Sequence, residues 1–331
     1  MAKPKVIILT HTEDNISVDT VSRFVEEAGG QAIRFNVDRY PLYTRLSSVY
    51  RQQQQEVTLE NETGIHTLHD AAGIWYRRSY NIGKGLNEVI DKEYMPAAQL
   101  EAKRTLFGMI EGLDIFQMER YSVYRRLDSK EEQLRIAAAC GLNIPATCIS
   151  NNPHDIRRFV AAVNAPVISK MQSAFAIYRQ GVEHVVFTNV VEESHLQELD
   201  SVQYCPMVFQ ERIEKQLELR VNIVGYEVFA FSVNSTISER AATDWRKEGA
   251  TLVDSWTPCR LPEKVQQLLL AFMDRYGLNY GAIDLVLTPD NQYYFLEVNA
   301  AGEYFWLDQL CDSAISRQIA RVLLGKAPRR R

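Results

Sequence analysis

The chain has 331 residues, 46% of them apolar and 24% charged, with a formal net charge of −5. This is the composition of a globular protein long enough for two or three packed units. It argues against a general nucleic-acid binder and gives no support for binding to anionic membranes. The five cysteines (Cys140, Cys148, Cys205, Cys259 and Cys311) are scattered and form no Cys-x-x-Cys. They read as reduced thiols in a cytoplasm, and with no tight Cys/His cluster zinc is not expected. The apolar run Val6 to Leu9 is too short for a signal peptide or a membrane span. The one densely basic stretch, Arg329-Arg330-Arg331, reads as a frayed tail.

Residues 5 to 10 predict a buried strand. Val18, Val21, Phe24 and Val25 recur at helical spacing, and Gly29-Gly30 stops that helix. A second strand runs from Ala32 to Val37, so the chain opens as a small α/β layer. Residues 46 to 70 read as short strands, with His66 and His69 as surface histidines. The strand from Gly73 to Tyr76 runs into Arg77-Arg78, a pair suited to a phosphate or a carboxylate. Surface ion pairs are the other reading of that pair. A long helix is expected over roughly 92 to 112.

Asp128-Ser129 is a helix cap with Glu131 and Glu132 in the first turn, and that helix stops at Gly141. A helix over 153–163 and a strand over 165–170 follow, the strand ending on Lys170. Residues 175 to 189 predict a hairpin, and Glu192 to Asp200 a short acidic helix. Strands are expected at 207–213, 217–225 and 228–233. The polar stretch 235–256 is long enough to be functional. Residues 262 to 276 form an amphipathic helix through Val265, Leu268, Leu269 and Phe272. Residues 302 to 324 are expected to be mainly helical.

The densest pattern lies at 281–305. Two β-branched and apolar runs flank Thr288-Pro289-Asp290-Asn291, a turn signature, and so predict a hairpin. Alternation puts Ile283, Leu285 and Leu287 on one face and Asp284 on the other. On the return strand Glu297 and Asn299 share a face, and Leu296 and Val298 take the opposite one. Three oxygen-bearing side chains, Asp284, Glu297 and Asn299, thus converge from paired strands. Hard oxygen donors suit Mg²⁺, and a metal relieves the cost of burying carboxylates among apolar neighbours.

The order of motifs carries more than any one of them. Lys130 on a helix, Lys170 on a strand, Gln210-Glu211-Arg212-Ile213, Glu218-Leu219-Arg220, Asp244-Trp245-Arg246, Asp284 and Glu297-Val298-Asn299 together resemble the ATP-grasp superfamily of carboxylate ligases. The resemblance covers about 125 to 325. Trp75-Tyr76-Arg77-Arg78, Tyr204-Cys205-Pro206-Met207, Asp244-Trp245-Arg246-Lys247-Glu248-Gly249 and Gly302-Glu303-Tyr304-Phe305-Trp306 resemble a narrower group. That group is the microviridin-type macrocyclases that cross-link ribosomal precursor peptides (graspetides), and the likeness is to its ester-forming branch.

The resemblance implies an α/β ATP-grasp fold in three parts: 1–125, a substrate-side α/β domain; 126–205, a central subdomain; and 206–331, a C-terminal subdomain with the Mg²⁺/ATP site. It implies that Lys130 and Lys170 hold nucleotide phosphates from two sides. Gln210, Glu211 and the backbone near Ile213 would serve the adenine, with Glu218 toward the ribose or Arg220. Arg220 and Arg246 would stabilise the transferring phosphoryl group. Asp284, Glu297 and Asn299 would hold two Mg²⁺ ions. Asp244 is a candidate general base, and 235–256 a candidate lid. Met171-Gln172-Ser173-Ala174-Phe175 departs from the pattern, because it lacks the glycines of many relatives. The implied partner is a precursor peptide with a helical leader, for which Glu192 and Glu193 offer a dock; an acidic helix start is the plainer reading of both. A homodimer is also implied. An amide-forming macrocyclase or another ATP-grasp carboxylate–amine ligase is the alternative activity.

Overall fold

The computed structural model describes residues 3–172, 188–235 and 255–330, together with the backbone of the strands at 176–179 and 182–185. Strand Lys5–Thr10 (β1), helix Ile16–Glu27 (α1) and strand Gln31–Asn36 (β2) open the chain. The Asn15 side chain caps α1 by accepting from the Ser17 backbone N–H. Gly29, at φ +84°, turns the chain out of that helix. Next come an antiparallel meander, Arg45–Arg51 (β3), Gln54–Asn61 (β4) and Gly64–Thr67 (β5), and then strand Gly73–Tyr76 (β6). β6 returns to pair parallel with β1, giving a three-stranded parallel sheet in the order β2-β1-β6. β1 and β6 are apolar on both faces because both faces are covered, while the edge strand β2 carries Arg34 and Asn36 on one face. One core holds Ile7, Leu9, Phe35, Leu59 and Leu106; another holds Val6, Ile8, Val18, Val21 and Val25.

Helices Met95–Glu111 (α2), Tyr121–Arg126 (α3) and Lys130–Ala139 (α4) lead out of this layer. The central part holds Thr147–Ser150 (β7), Pro153–Ala162 (α5), Val167–Lys170 (β8), the hairpin Ala176–Arg179 (β9) and Val182–Val185 (β10), Asn189–Val190 (β11), Glu193–Gln197 (α6) and Met207–Glu211 (β12). Its sheet runs β11-β8-β12-β7, all antiparallel. Since β12 pairs with both β7 and β8, the central sheet extends to Glu211, past the boundary at 205 drawn from the sequence.

The C-terminal part holds Leu217–Val224 (β13), Glu227–Val233 (β14), Thr257–Cys259 (β15), Glu263–Tyr276 (α7), Tyr280–Leu287 (β16), Tyr293–Asn299 (β17), Phe305–Asp308 (α8) and Ala314–Leu323 (α9). Its five-stranded sheet runs β15-β14-β13-β16-β17. α7 buries Leu269, Phe272 and Met273 against Leu219, Val221, Ile223, Ile283 and Leu285 on one sheet face. Each such side chain contributes about 1.5–3 kcal/mol when fully buried. Alternation then sends Glu218, Arg220, Asn222 and Asp284 to the opposite face.

Two expectations are corrected. Leu296 does not share the core face with Val298: Asp284 pairs with Glu297 and Leu285 with Phe295, so Leu296 is the extra residue of a β-bulge. The bulge lets Phe295 and Val298 both enter the α7 core. The basic end is not frayed at Arg329 and Arg330. The Arg329 guanidinium donates to the carbonyls of Val322, Leu323 and Ala72 and lies over the Phe116 ring. Arg330 is 5% exposed; it donates to Asp274 and to the carbonyls of Gly225 and Leu278. A run of like charges reads as solvated, but each guanidinium here finds carbonyls left over by a chain end or a turn. Strand β15 lies just after the stretch 235–256 read as polar loop, and is a further element that sequence reading missed. No described helix is long and apolar enough to cross a membrane.

Candidate functional site

Arg220 on β13 sits opposite Asp284 on β16, and Asp284 opposite Glu297 on β17. Three charged side chains therefore stand in one row across three neighbouring strands, on the face away from α7. Arg220 Nη1 donates to Asp284 Oδ1 at 2.8 Å. Burial works against the Arg220 charge, but the Asp284 carboxylate outweighs it and holds the guanidinium above the ordinary arginine range. Asp284 itself is pushed above the usual carboxylate range: burial raises it, Arg220 opposes, and the neighbouring Glu297 adds to the rise. Two carboxylates side by side, with one arginine at the end of the row, form a site that favours further positive charge.

One lysine reaches this row, and a second ends a strand of the central sheet. Lys130, the first residue of α4, donates to Glu297 Oε2 at 2.7 Å. Lys170, the last residue of β8, donates to Gln210 Oε1 at 3.0 Å, and Gln210 Nε2 donates to Thr147 Oγ1 at 2.9 Å. Gln210, 2% exposed, thereby carries Lys170 on the inner strand of the central sheet. Glu211 Oε2 accepts from the Ala146 N–H at 3.1 Å. Glu211 and Ile213 line an open depression of about 460 Å³, together with Pro166 from the central part and Pro289 and Tyr294 from the β16–β17 hairpin. Glu218 is paired with Lys215, and its charge adds to the electrostatic burden on Asp284.

The loop after β17 closes the row. Asn299 Oδ1 accepts from the Ala301 N–H at 3.0 Å. Tyr280 donates to the Gly302 carbonyl at 2.7 Å and to Asn222 at 3.1 Å. Arg220 Nη2 donates to the Glu303 carbonyl at 3.1 Å. From the N-terminal layer, Arg77 reaches the Ala301 carbonyl at 2.9 Å and the Glu303 carboxylate at 2.6 Å. Arg78 pairs with the other Glu303 oxygen. Arg77 is 1% exposed, so its pairing is an internal one and not the surface ion pair of the plainer sequence reading. Burial opposes its charge, and Glu303 and Asp14 hold it above the ordinary range. Glu303 belonged to a motif noticed in the sequence without a role of its own; Asn15, which donates to it at 2.6 Å, was not singled out there.

The donor set fits Mg²⁺. Asp284 and Glu297 are adjacent hard carboxylates, Asn299 adds an amide oxygen on the same edge, and Asp284 is destabilised as an anion by burial and then by Glu297. Among the described residues no three His, Cys, Asp or Glu side chains form a closed metal cage. A site with two carboxylates suits an ion that keeps waters and substrate phosphates as its remaining ligands. Glu192 and Glu193 are exposed at the start of α6, where Glu192 forms a capping box with His195. Asp244 and Arg246, and nearly all of the proposed lid, lie outside the described residues.

Residues 5–125 match the family model of the MvdD pre-ATP grasp domain, and residues 127–323 that of the RimK-like ATP-grasp domain. The chain is similar to a Chryseobacterium gregarium RiPP-associated ATP-grasp ligase solved in complex with ADP and a leader and core peptide. Identity is 49%, the TM-score 0.96, and the match covers 99% of this chain and 98% of that one. The Microcystis aeruginosa macrocyclase MdnC, bound with precursor peptide MdnA, is 34% identical with a TM-score of 0.86, over 97% of this chain and 99% of that one. MdnB from the same organism is 30% identical with a TM-score of 0.80, over 97% and 99% respectively. Human N-acetylaspartylglutamate synthase A is 26% identical over 128 residues, which is 38% of this chain and 31% of that protein. The chain thus matches about a third of the length of these curated relatives, the mouse protein included at 32%.

Proposed function

The chain belongs to the RimK-like ATP-grasp family, in its group of RiPP-associated ligases and macrocyclases, and from that premise we propose that it closes rings in a ribosomal precursor peptide at the expense of ATP. In this reading an Asp or Glu side chain of the peptide attacks the γ-phosphorus of ATP. An acyl phosphate forms and ADP leaves. A Ser or Thr hydroxyl of the same peptide then attacks the acyl carbon, phosphate departs, and an ω-ester remains.

The observation that carries the reading is the Arg220–Asp284–Glu297 row, with Lys130 bonded to Glu297 from a helix; Lys170, held by Gln210 in the central sheet, is assigned to the phosphates from the other side. Neither step needs an enzyme nucleophile; the protein positions and neutralises charge. Lys130 and Lys170 hold the phosphates as point charges from two sides. Arg220 stabilises charge on the phosphoryl group in flight. Asp284, Glu297 and Asn299 would hold Mg²⁺, two ions in this reading, which would neutralise the phosphates. Glu211 and the Ile213 backbone receive the adenine edge. Arg246 and Asp244 are assigned to phosphoryl stabilisation and to deprotonation of the hydroxyl. Glu192 and Glu193 are assigned to an arginine-bearing helical leader.

Incubation with Mg²⁺, ATP and a leader-bearing precursor tests this by intact mass. Successive losses of about 18 Da, the mass of one water per ring closed, with crosslinks opened by mild alkali, support ester macrocyclisation. Alkali-stable losses assign the enzyme to the amide-forming branch. No loss with any leader-bearing peptide, but ADP release with a small amine, overturns the macrocyclase reading in favour of a carboxylate–amine ligase.

A further inference from the structure

Arg220 is held at two points. One is the Asp284 carboxylate, and the other is the Glu303 carbonyl, 3.1 Å from Nη2. The first lies on the neighbouring strand. The second lies on a loop whose position is decided elsewhere. The Glu303 side chain leaves the C-terminal sheet and enters the N-terminal layer. There Oε2 accepts from Arg77 at 2.6 Å and from Asn15 at 2.6 Å, and Oε1 pairs with Arg78. Arg77 also takes the Ala301 carbonyl at 2.9 Å, two residues back on the same loop. Between these anchors the backbone lies against the guanidinium: a Cβ on Gly302 would stand 2.7 Å from Arg220 Nη2.

We propose that Glu303 is a positioning residue that sets the aim of Arg220 through the 299–304 loop, so that the substrate-side layer and the phosphoryl-stabilising arginine move as one. The residues that clamp Glu303 support this. Arg77 and Arg78 follow β6, and Asn15 follows β1, at the carboxyl ends of two parallel strands. That end of an open α/β layer is where ligands bind. A peptide seated there touches the elements that fix the loop, and the loop fixes Arg220. The inference rests on the proposed ATP-dependent reaction for its kinetic test, and a spectroscopic test stands apart from it.

A double-mutant cycle with Glu303→Gln and Arg220→Lys reads the coupling. ADP release with precursor peptide is expected to fall about 10- to 100-fold in kcat for Glu303→Gln, the scale of a misplaced catalytic group, with the KM for ATP near that of the parent. In the Arg220→Lys background the same change is expected to cost less than about 2-fold, since it acts through a guanidinium no longer present. Losses that multiply in the double variant, or a loss carried by KM, overturn the proposal. NMR of the Arg220 guanidinium in ¹⁵N-arginine-labelled protein needs no peptide: Glu303→Gln is expected to move that resonance and speed its rotation, and an unchanged signal overturns the proposal. If the wild type closes no ring yet the resonance moves, the macrocyclase reading fails while the positioning role stands. Glu303→Asp and a melting curve separate loss of the clamp from loss of the fold.

Discussion

Gly302→Ala concentrates a small steric change on the Arg220–Asp284–Glu297 row. A methyl group there would lie 2.5 Å from the Ala282 Cβ, 2.7 Å from Arg220 Nη2 and 3.2 Å from the Asn299 carbonyl oxygen. Ordinary carbon contacts fall at about 3.5–4.0 Å, so roughly 1 Å of movement is required. Ala282 is fully buried on β16, between β13 and β17, and has no room to give. Arg220 and the loop must therefore part, which breaks the bond from Nη2 to the Glu303 carbonyl. Overpacking of this kind costs about 1–3 kcal/mol, a drop of a few degrees in Tm. A displacement of about 1 Å at a catalytic group costs on the order of 100-fold in rate. Calorimetry with a non-hydrolysable ATP analogue, thermal melting and ADP release with precursor peptide would be run on the same preparations. The expected pattern is near-parental nucleotide affinity, a modest loss of Tm and a kcat lower by about two orders of magnitude. Parental turnover in a variant that melts normally would refute the claim that the loop backbone abuts Arg220.

Three further outcomes follow from particular contacts. On the proposed reading Lys170→Met removes a charged donor to the nucleotide phosphates; such a bond is worth about 1.5–3 kcal/mol, so titration calorimetry should find ADP bound roughly 10- to 100-fold more weakly, and an unchanged Kd would contradict the assignment. Arg330→Ala strips the partner from Asp274 and from the Gly225 and Leu278 carbonyls; urea unfolding should show a loss of about 2–4 kcal/mol, whereas a change under about 0.5 kcal/mol would restore the picture of an idle tail. Glu119 is buried, accepts from the Tyr280 N–H at 2.6 Å, and burial raises its carboxyl well above the usual range. The folded state therefore holds this proton more tightly than the unfolded chain. The resulting stabilisation is full below the unfolded pKa and is lost as pH rises toward the folded one, at up to about 1.4 kcal/mol per pH unit. Glu119→Gln keeps an acceptor for Tyr280 without the titration, so its melting temperature should gain on the parent's as pH rises from 4.5 toward neutrality; parallel curves would show that Glu119 does not titrate as the structure requires.

What was legible in the sequence was local. The amphipathic spacing of Val18, Val21, Phe24 and Val25 gave α1, and the turn at Pro289-Asp290-Asn291 gave the β16–β17 hairpin, because a helix face and a two-strand alternation are each written within a dozen residues. The bulge at Leu296 escaped the same logic. Strict alternation assumes one residue per pleat, and only the need of both Phe295 and Val298 for the α7 core breaks that count. Alternation within the hairpin gave Asp284 and Glu297, and the motif order led to Lys130, Lys170 and Arg220 through a family resemblance, yet the contacts among them were hidden. Arg220 and Asp284 are 64 positions apart and meet because β13 and β16 run antiparallel in one register. Arg77 and Glu303 are 226 positions apart, on different structural layers. No period links such residues. In isolation an Arg-Arg pair reads as surface charge as readily as a phosphate or carboxylate clamp, and a glutamate in a loop reads as solvated. The structure reverses both readings at once, since the charge of a guanidinium at 1% exposure must be countered by a partner. Arg77 meets that requirement with the Ala301 carbonyl and the Glu303 carboxylate of the loop that also holds Arg220. Satisfying one buried charge in the N-terminal layer therefore fixes the backbone against which a second one, in the C-terminal sheet, is aimed.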